Sequence, residues 1–367
     1  MFVLDELTYS GAEEMLAVAG RLWAGRGFTA EILTTGAVPG DFAPELRAAG
    51  YAIHHLPFRR SPRFFRQLLR FFGRQRFDVV HIHTERAGFW YALAAVLTGH
   101  RTLVRTVHAV FAFAGPLRFR RTAQRWIMRR LLGVTTTAPS RSVQANEAQV
   151  FRNPARIVPN WIDTDRFRPP DAAERQAARA TLGLDPERFV VLTVGNCAAV
   201  KNHAALIAGL ALLPPDLSWT FLHVGAGHEE AAERDLAARL GLAAEVRFLG
   251  RCDPRPALWA ADCFVMPSER EGFGLAAAEA LACGLRCVLA DRPGLRDFAP
   301  YADAILWTAP TPPEIAAAIA AAGRPGTGRW DSVAETVRTS LSPERGVATL
   351  AGIYSGATPG RSGSAEG

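Results

Sequence analysis

Short apolar runs alternate with amphipathic stretches from one end of this 367-residue chain to the other. That alternation is the pattern of α/β units, in which helices cover parallel strands. In the first half it predicts strands near Met1–Asp5, Thr29–Thr34, Tyr51–Leu56, Asp78–His83, Leu103–Val107 and Val134–Ala138. The clearest helices between them are Gly11–Gly25 and Arg63–Arg74. Several of the strands hold a continuous apolar stretch, such as Phe2-Val3-Leu4, as expected of strands buried on both faces of a sheet. Between Pro154 and Pro186 the pattern breaks, with Pro159, Pro169 and Pro170 inside the break and a charged helix from Asp171 to Leu182. A second series then predicts strands at Phe189–Val194, Trp219–Val224, Val246–Leu249, Cys263–Pro267, Arg286–Ala290 and Ala304–Trp307.

The fold expected from this is α/β, with two doubly wound, Rossmann-like domains in series over residues 1–165 and 166–340. A C-terminal helix over 341–356 is placed to pack back on the first domain, and residues 357–367 read as a disordered tail. At 49% hydrophobic and 21% charged residues the chain is globular rather than disordered or fibrous. No apolar run is long enough to span a bilayer, and two acids within the first six residues replace the basic start of a signal peptide. Five cysteines, an odd number, fit a reducing cytoplasm. Cys283 and Cys287 stand near each other without a second Cys/His pair at ligand spacing, so they read as core and not as zinc ligands.

Charge separates the halves. Up to residue 165 there are 22 arginines against 12 acidic residues, and beyond it 20 basic against 23 acidic residues. Of the 42 basic residues 41 are arginine, a bias that fits a GC-rich bacterial genome. The single lysine, Lys201, therefore stands out. A compact ammonium suits a site that a planar guanidinium does not fit, although a solvated surface lysine is the blander reading.

Open α/β sheets bind ligands beyond the carboxyl ends of their strands. After the run Cys263–Pro267 comes Ser268-Glu269-Arg270-Glu271-Gly272-Phe273-Gly274-Leu275, and then an alanine-rich helix carrying Glu279 and ending at Gly284. The first amides of that helix, near Gly274 and Leu275, are suited to an anion. Glu271 and Glu279 then suit the hydroxyls of an elongated ligand whose phosphates sit at the helix start. On residue type alone, two solvated acids at a helix end are the commoner case.

Taken in order, a set of motifs resembles the retaining glycosyltransferases of the GT-B fold, family 4. They are Ser10-Gly11-Ala12-Glu13, Phe77-Asp78-Val79-Val80-His81-Ile82-His83, Thr106-Val107-His108, Val158-Pro159-Asn160-Trp161-Ile162-Asp163 through Phe167-Arg168-Pro169, Val194-Gly195 with Lys201-Asn202-His203, Gly225-Ala226-Gly227, and Glu271-Gly272-Phe273-Gly274 with Glu279. The resemblance implies two domains facing across a cleft, the first for the acceptor and the second for a nucleotide diphosphate sugar, with UDP-sugar favoured. It implies transfer to a hydroxyl with retention, independent of metal and without a cofactor. Carried over by motif, Glu279 holds the ribose, Glu271 the donor sugar and Lys201 the diphosphate. His108 approaches the sugar, Gly11 keeps its loop close to the phosphates, and Asn196, Gly225, Gly272, Phe273, Gly274 and Leu275 line the donor site.

Two positions depart from the family. Asn196 stands where an arginine is common, which removes a cation from the diphosphate, and Trp161 stands where glycine is more usual. Asp163-Thr164-Asp165 imitates an Asp-x-Asp metal motif but lies at the interdomain segment and suits a turn. His81 and His83 alternate on a strand and read equally as buried, hydrogen-bonded histidines or as functional ones.

Residues 58–77 hold seven arginines and six phenylalanines, and residues 118–130 six more arginines. Three readings fit these clusters: a domain docked on anionic membrane at the inner face, a plain solvated surface, or a surface for an acidic acceptor. The acceptor is a glycan, a lipid-linked sugar or a small molecule, and nucleic acid is not expected. The rival enzyme reading is a nucleotide-sugar epimerase of similar form. The non-enzymatic one is a basic lipid-binding protein, which leaves Lys201 and the two glutamates unexplained.

Overall fold

The computed structural model describes residues 1–324 and 330–356; the expected tail at 357–367 lies outside them. Among the described residues thirteen strands form two parallel sheets. The first sheet contains β1 (Phe2–Leu4), β2 (Glu31–Thr34), β3 (Ala52–His55), β4 (Val79–Ile82), β5 (Thr102–Thr106), β6 (Thr135–Ala138) and β7 (Arg156–Ile157) in the order β3-β2-β1-β4-β5-β6-β7. The second contains β8 (Phe189–Val194), β9 (Trp219–Val224), β10 (Val246–Gly250), β11 (Cys263–Met266), β12 (Arg286–Ala290) and β13 (Ile305–Thr308) in the order β10-β9-β8-β11-β12-β13. Both orders reverse direction once, between β1 and β4 and between β8 and β11. At such a switch point the loops leaving adjacent strands part and open a crevice.

The chain divides into two compact units. Met1–Trp161 and the segment from Ser342 onward make one, and Ile162–Leu341 the other. The first crossing thus falls at 161/162, a few residues ahead of the 165/166 division read from the prolines. In the second unit Val190, Val191 and Leu192 are fully buried, because helices cover both faces of β8. In the first unit the helix Pro62–Arg74 starts at Ser61, whose hydroxyl accepts the Phe64 N–H at 3.2 Å. It buries Phe64, Leu68 and Phe72 on one stripe, each contributing roughly 2 kcal/mol.

The helix Pro343–Tyr354 completes the first unit. Its Val347, Leu350, Ile353 and Tyr354 enter the same apolar cluster as Phe2, Leu16 and Trp23. Trp161 belongs there too: its indole N–H donates to the Met15 carbonyl at 2.8 Å, and its ring lies over Gly346. A Cβ at Gly346 would stand 2.0 Å from that ring, so the tryptophan is accommodated by a glycine on the facing helix. No described helix is long and apolar enough to cross a membrane.

Candidate donor site

In the second unit two loops flank the switch point. One leaves β8 as Gly195-Asn196-Cys197 and closes with a short 3-10 turn, Ala199–Lys201. The other leaves β11 and feeds the helix Leu275–Ala282. The Glu269 N–H donates to the Val200 carbonyl at 2.9 Å and joins the loops. Across them Lys201 Nζ donates to Glu271 Oε1 at 2.7 Å, with the carboxylate mostly buried and the ammonium about one-quarter exposed. A lysine has three N–H donors, so this pairing leaves capacity for an anion.

Gly274 opens the helix at φ +84°, where a Cβ would come within 2.9 Å of the Leu295 side chain. As at any helix start, the first amides lack intrahelical acceptors. Glu279 is buried one turn further along. The Phe273 side chain is buried against the Phe298 ring, with centroids 5.3 Å apart, so only its backbone is available to a ligand. Asn196 is exposed and its amide has no partner among the described residues.

Gly225 and Gly227 have a structural reason of their own. A Cβ at Gly225, where φ is +142°, would lie 1.9 Å from the Gly195 carbonyl, and one at Gly227 would lie 2.3 Å from the Cys197 carbonyl. The glycines let the loop after β9 lie directly on the loop that carries Asn196 and Lys201.

The first unit has its own cluster beyond β4 and β5. His83 Nδ1 and His108 Nε2 share a hydrogen bond of 2.8 Å. His81 is tied to Tyr354 at 2.5 Å and to Thr106 at 2.7 Å, so it is structural, while His83 Nε2 has no hydrogen-bond partner among the described residues. Desolvation, with Arg105 adding to it, lowers the His108 pKa to about 4, and burial lowers His83 well below its usual value. Both are neutral near pH 7 and offer hydrogen bonds rather than charge. Gly11 opens the helix Gly11–Ala24 beyond β1.

Beside these histidines lies a buried ion network that sequence reasoning missed. Arg125 binds Glu147 at 2.8 Å and Glu85 at 3.1 Å, Arg105 also binds Glu85, and Arg121 donates to the Glu85 carbonyl at 3.0 Å. Two of the six arginines in the 118–130 cluster therefore face inward and are not available to a partner. The Asp163 carboxylate accepts the N–H groups of Asp165 and Arg166, which makes this segment a turn.

Comparison with known proteins agrees with this arrangement. The model described as Glycosyltransferase Family 4 matches residues 9–166, and that described as Glycosyl transferases group 1 matches residues 174–322. A D-inositol 3-phosphate glycosyltransferase of Jonesia denitrificans is 40% identical over 151 residues, 38% of this chain. The match spans only 36% of that relative. A glycosyltransferase from Rickettsia africae superposes with a TM-score of 0.82 at 16% identity, covering 98% of this chain and 99% of its own. Anabaena HepE, crystallised with UDP, superposes at 0.80 with 19% identity, covering 97% and 99%. The chain belongs to the group 1, family 4 glycosyltransferases and has their GT-B fold.

Proposed function

We propose that this protein transfers a sugar from a nucleoside diphosphate sugar, UDP-sugar by preference, to an acceptor hydroxyl with retention. The observation that carries the reading is the Lys201–Glu271 pair beside a helix start at the switch point of the second sheet. In this reading Lys201 keeps Glu271 in place with one N–H and gives the others to the leaving diphosphate. The amides at Leu275 and Ala276 share that charge, and Asn196 adds hydrogen bonds without charge. Glu271 binds the sugar hydroxyls, Glu279 the ribose, and neutral His108 hydrogen-bonds the sugar. The bond from the anomeric carbon to the diphosphate oxygen breaks as the acceptor oxygen forms its bond on the same face, and the departing phosphate takes the acceptor's proton. Positioning and stabilisation of the leaving charge then supply the rate enhancement. UDP is favoured because HepE, of similar fold, binds it.

Lys201→Ala and Glu271→Gln are each expected to lower kcat/KM by about a hundredfold or more while the circular dichroism spectrum stays unchanged. Wild-type turnover in both would end the assignment. A thermal-shift screen of UDP, GDP and ADP sugars identifies the donor, since a ligand that binds only the folded state raises Tm. No divalent cation on the diphosphate is part of this reading. Loss of turnover in EDTA with recovery in magnesium would contradict that.

The first unit also fits an anionic membrane surface. All seven arginines between Arg59 and Arg76 are exposed and have no ion-pair partner among the described residues. On the helix Gly115–Arg130, Phe119 and Trp126 are 78% and 55% exposed and lie seven residues apart, on one face. Sedimentation with anionic liposomes is expected at low salt and should fade as salt rises, each arginine contributing about 1 kcal/mol. Replacing Arg63, Arg66, Arg70 and Arg74 by Gln should abolish it. A wild type that ignores such liposomes points to a soluble acceptor instead.

A further inference from the structure

Behind the donor loop the second unit assembles a polar cluster that the proposed reaction does not use. Cys197 lies on the loop after β8, His203 opens the helix His203–Leu210, His223 sits near the end of β9, and Glu233 lies on the helix Glu230–Arg239. Their side chains are at most about 4% exposed, and one ligand atom from each lies within 4.8 Å of all the others. His203 Nδ1 is 3.1 Å from Glu233 Oε1, His223 Nδ1 is 3.7 Å from Glu233 Oε2, and Cys197 Sγ is 3.9 Å from the His223 ring nitrogens.

We propose that Cys197, His203, His223 and Glu233 form a structural zinc site that fastens the donor loop to the sheet. Three independent features point to a cation. Glu233 Oε2 is buried without a hydrogen-bond partner among the described residues, a costly state for a carboxylate oxygen that faces no cation. His223 uses Nε2 toward the Gly195 carbonyl at 3.1 Å and so turns Nδ1 inward. This is how zinc-binding histidines are commonly held, with the second ring N–H given to a backbone carbonyl that fixes tautomer and orientation. The donor set is also neutral once filled, because a thiolate and a carboxylate balance a divalent ion in a site with almost no access to water.

One sulfur, two nitrogens and one carboxylate oxygen suit tetrahedral zinc better than magnesium or calcium, which take oxygen. Tetrahedral bonds would bring the four atoms to roughly 3.3–3.6 Å from one another. Reaching that from the present spacing takes shifts of about 1 Å or less. The same loop carries Gly195, Asn196 and Lys201, so the ion would stiffen the backbone on which the diphosphate is proposed to rest. The assignment of the metal does not depend on that reaction.

The test uses the full chain, purified without a histidine tag and carrying Cys252→Ser to remove its exposed thiol. Plasma mass spectrometry is expected to find about one zinc per chain. Replacing that zinc by cobalt(II) should give the visible bands of a tetrahedral ion and a near-ultraviolet thiolate charge-transfer band. Cys197→Ala should lose the charge-transfer band, and Glu233→Gln should weaken metal retention at least tenfold. Prolonged chelation should lower Tm, with recovery on adding zinc but not magnesium. The proposal is overturned if the chain purifies with less than a tenth of an equivalent of zinc and takes up no cobalt. It is overturned equally if the charge-transfer band survives in Cys197→Ala. Because the first readouts come from chain with all four ligands intact, a variant that fails to fold does not obscure the result.

Discussion

Glu13 shows how a single side chain sets a local pH response. It sits in the first turn of the helix Gly11–Ala24, hydrogen-bonded to the Ser10 hydroxyl, and burial raises its pKa from 4.5 to about 7. The native state then holds a proton that the unfolded chain releases, so stability falls as pH rises from about 4.5 to about 7 and is level above that. Glu13→Gln should therefore stabilise the protein at pH 8 by up to about 3 kcal/mol and by little at pH 4.5. Thermal melts across that range measure it, and a shift independent of pH would contradict the assignment. At this scale the sequence was most legible where an unusual residue stood alone, as Lys201 does. It was least legible where distant residues meet. Cys197, His203, His223 and Glu233 follow no ligand motif, and the acids facing Arg125 are 22 and 40 positions away.

Elements are legible where burial on both faces makes a run almost wholly apolar, as in β8 and β11. Strand β7, two residues long, has no periodicity to detect and is held by register against β6, with Thr137 opposite Arg156 and Ala138 opposite Ile157. Trp161 stood out in the sequence only as a departure; its reason lies on another element, the helix Pro343–Tyr354. Alanine for glycine inside a helix ordinarily stabilises by up to about 1 kcal/mol. At Gly346 the added methyl meets the Trp161 ring, and Gly346→Ala should destabilise by about 1–3 kcal/mol instead. Gly352, on the same helix, has nothing within 4 Å of its would-be Cβ, so Gly352→Ala should follow the ordinary sign. Urea unfolding of the two variants makes the comparison, and a gain in both would show that the Trp161 contact is not tight.

At the scale of the molecule, a unit built from both ends of the chain makes the C-terminal helix part of an N-terminal core. The crossings are adjacent, since the Ile162 N–H donates to the Leu341 carbonyl at 3.0 Å. The unit Ile162–Leu341 is continuous, whereas the first closes only when Val347, Leu350, Ile353 and Tyr354 are in place beside Phe2, Leu16 and Trp23. Removing them exposes the apolar faces of β1 and of the helix Gly11–Ala24, at a cost of several kcal/mol from roughly 2 kcal/mol per large side chain. It also takes from His81 its hydrogen bond to Tyr354. That loss is comparable with the whole stability of a domain of this size. A chain ending at Leu341 should therefore lose the first unit selectively. Limited proteolysis read by mass spectrometry is expected to cut readily within 1–161 while 162–341 persists, and UDP should still protect the surviving fragment if the donor reading is right. Equal resistance of both units in the truncated chain would mean that the C-terminal helix only covers a core that closes without it.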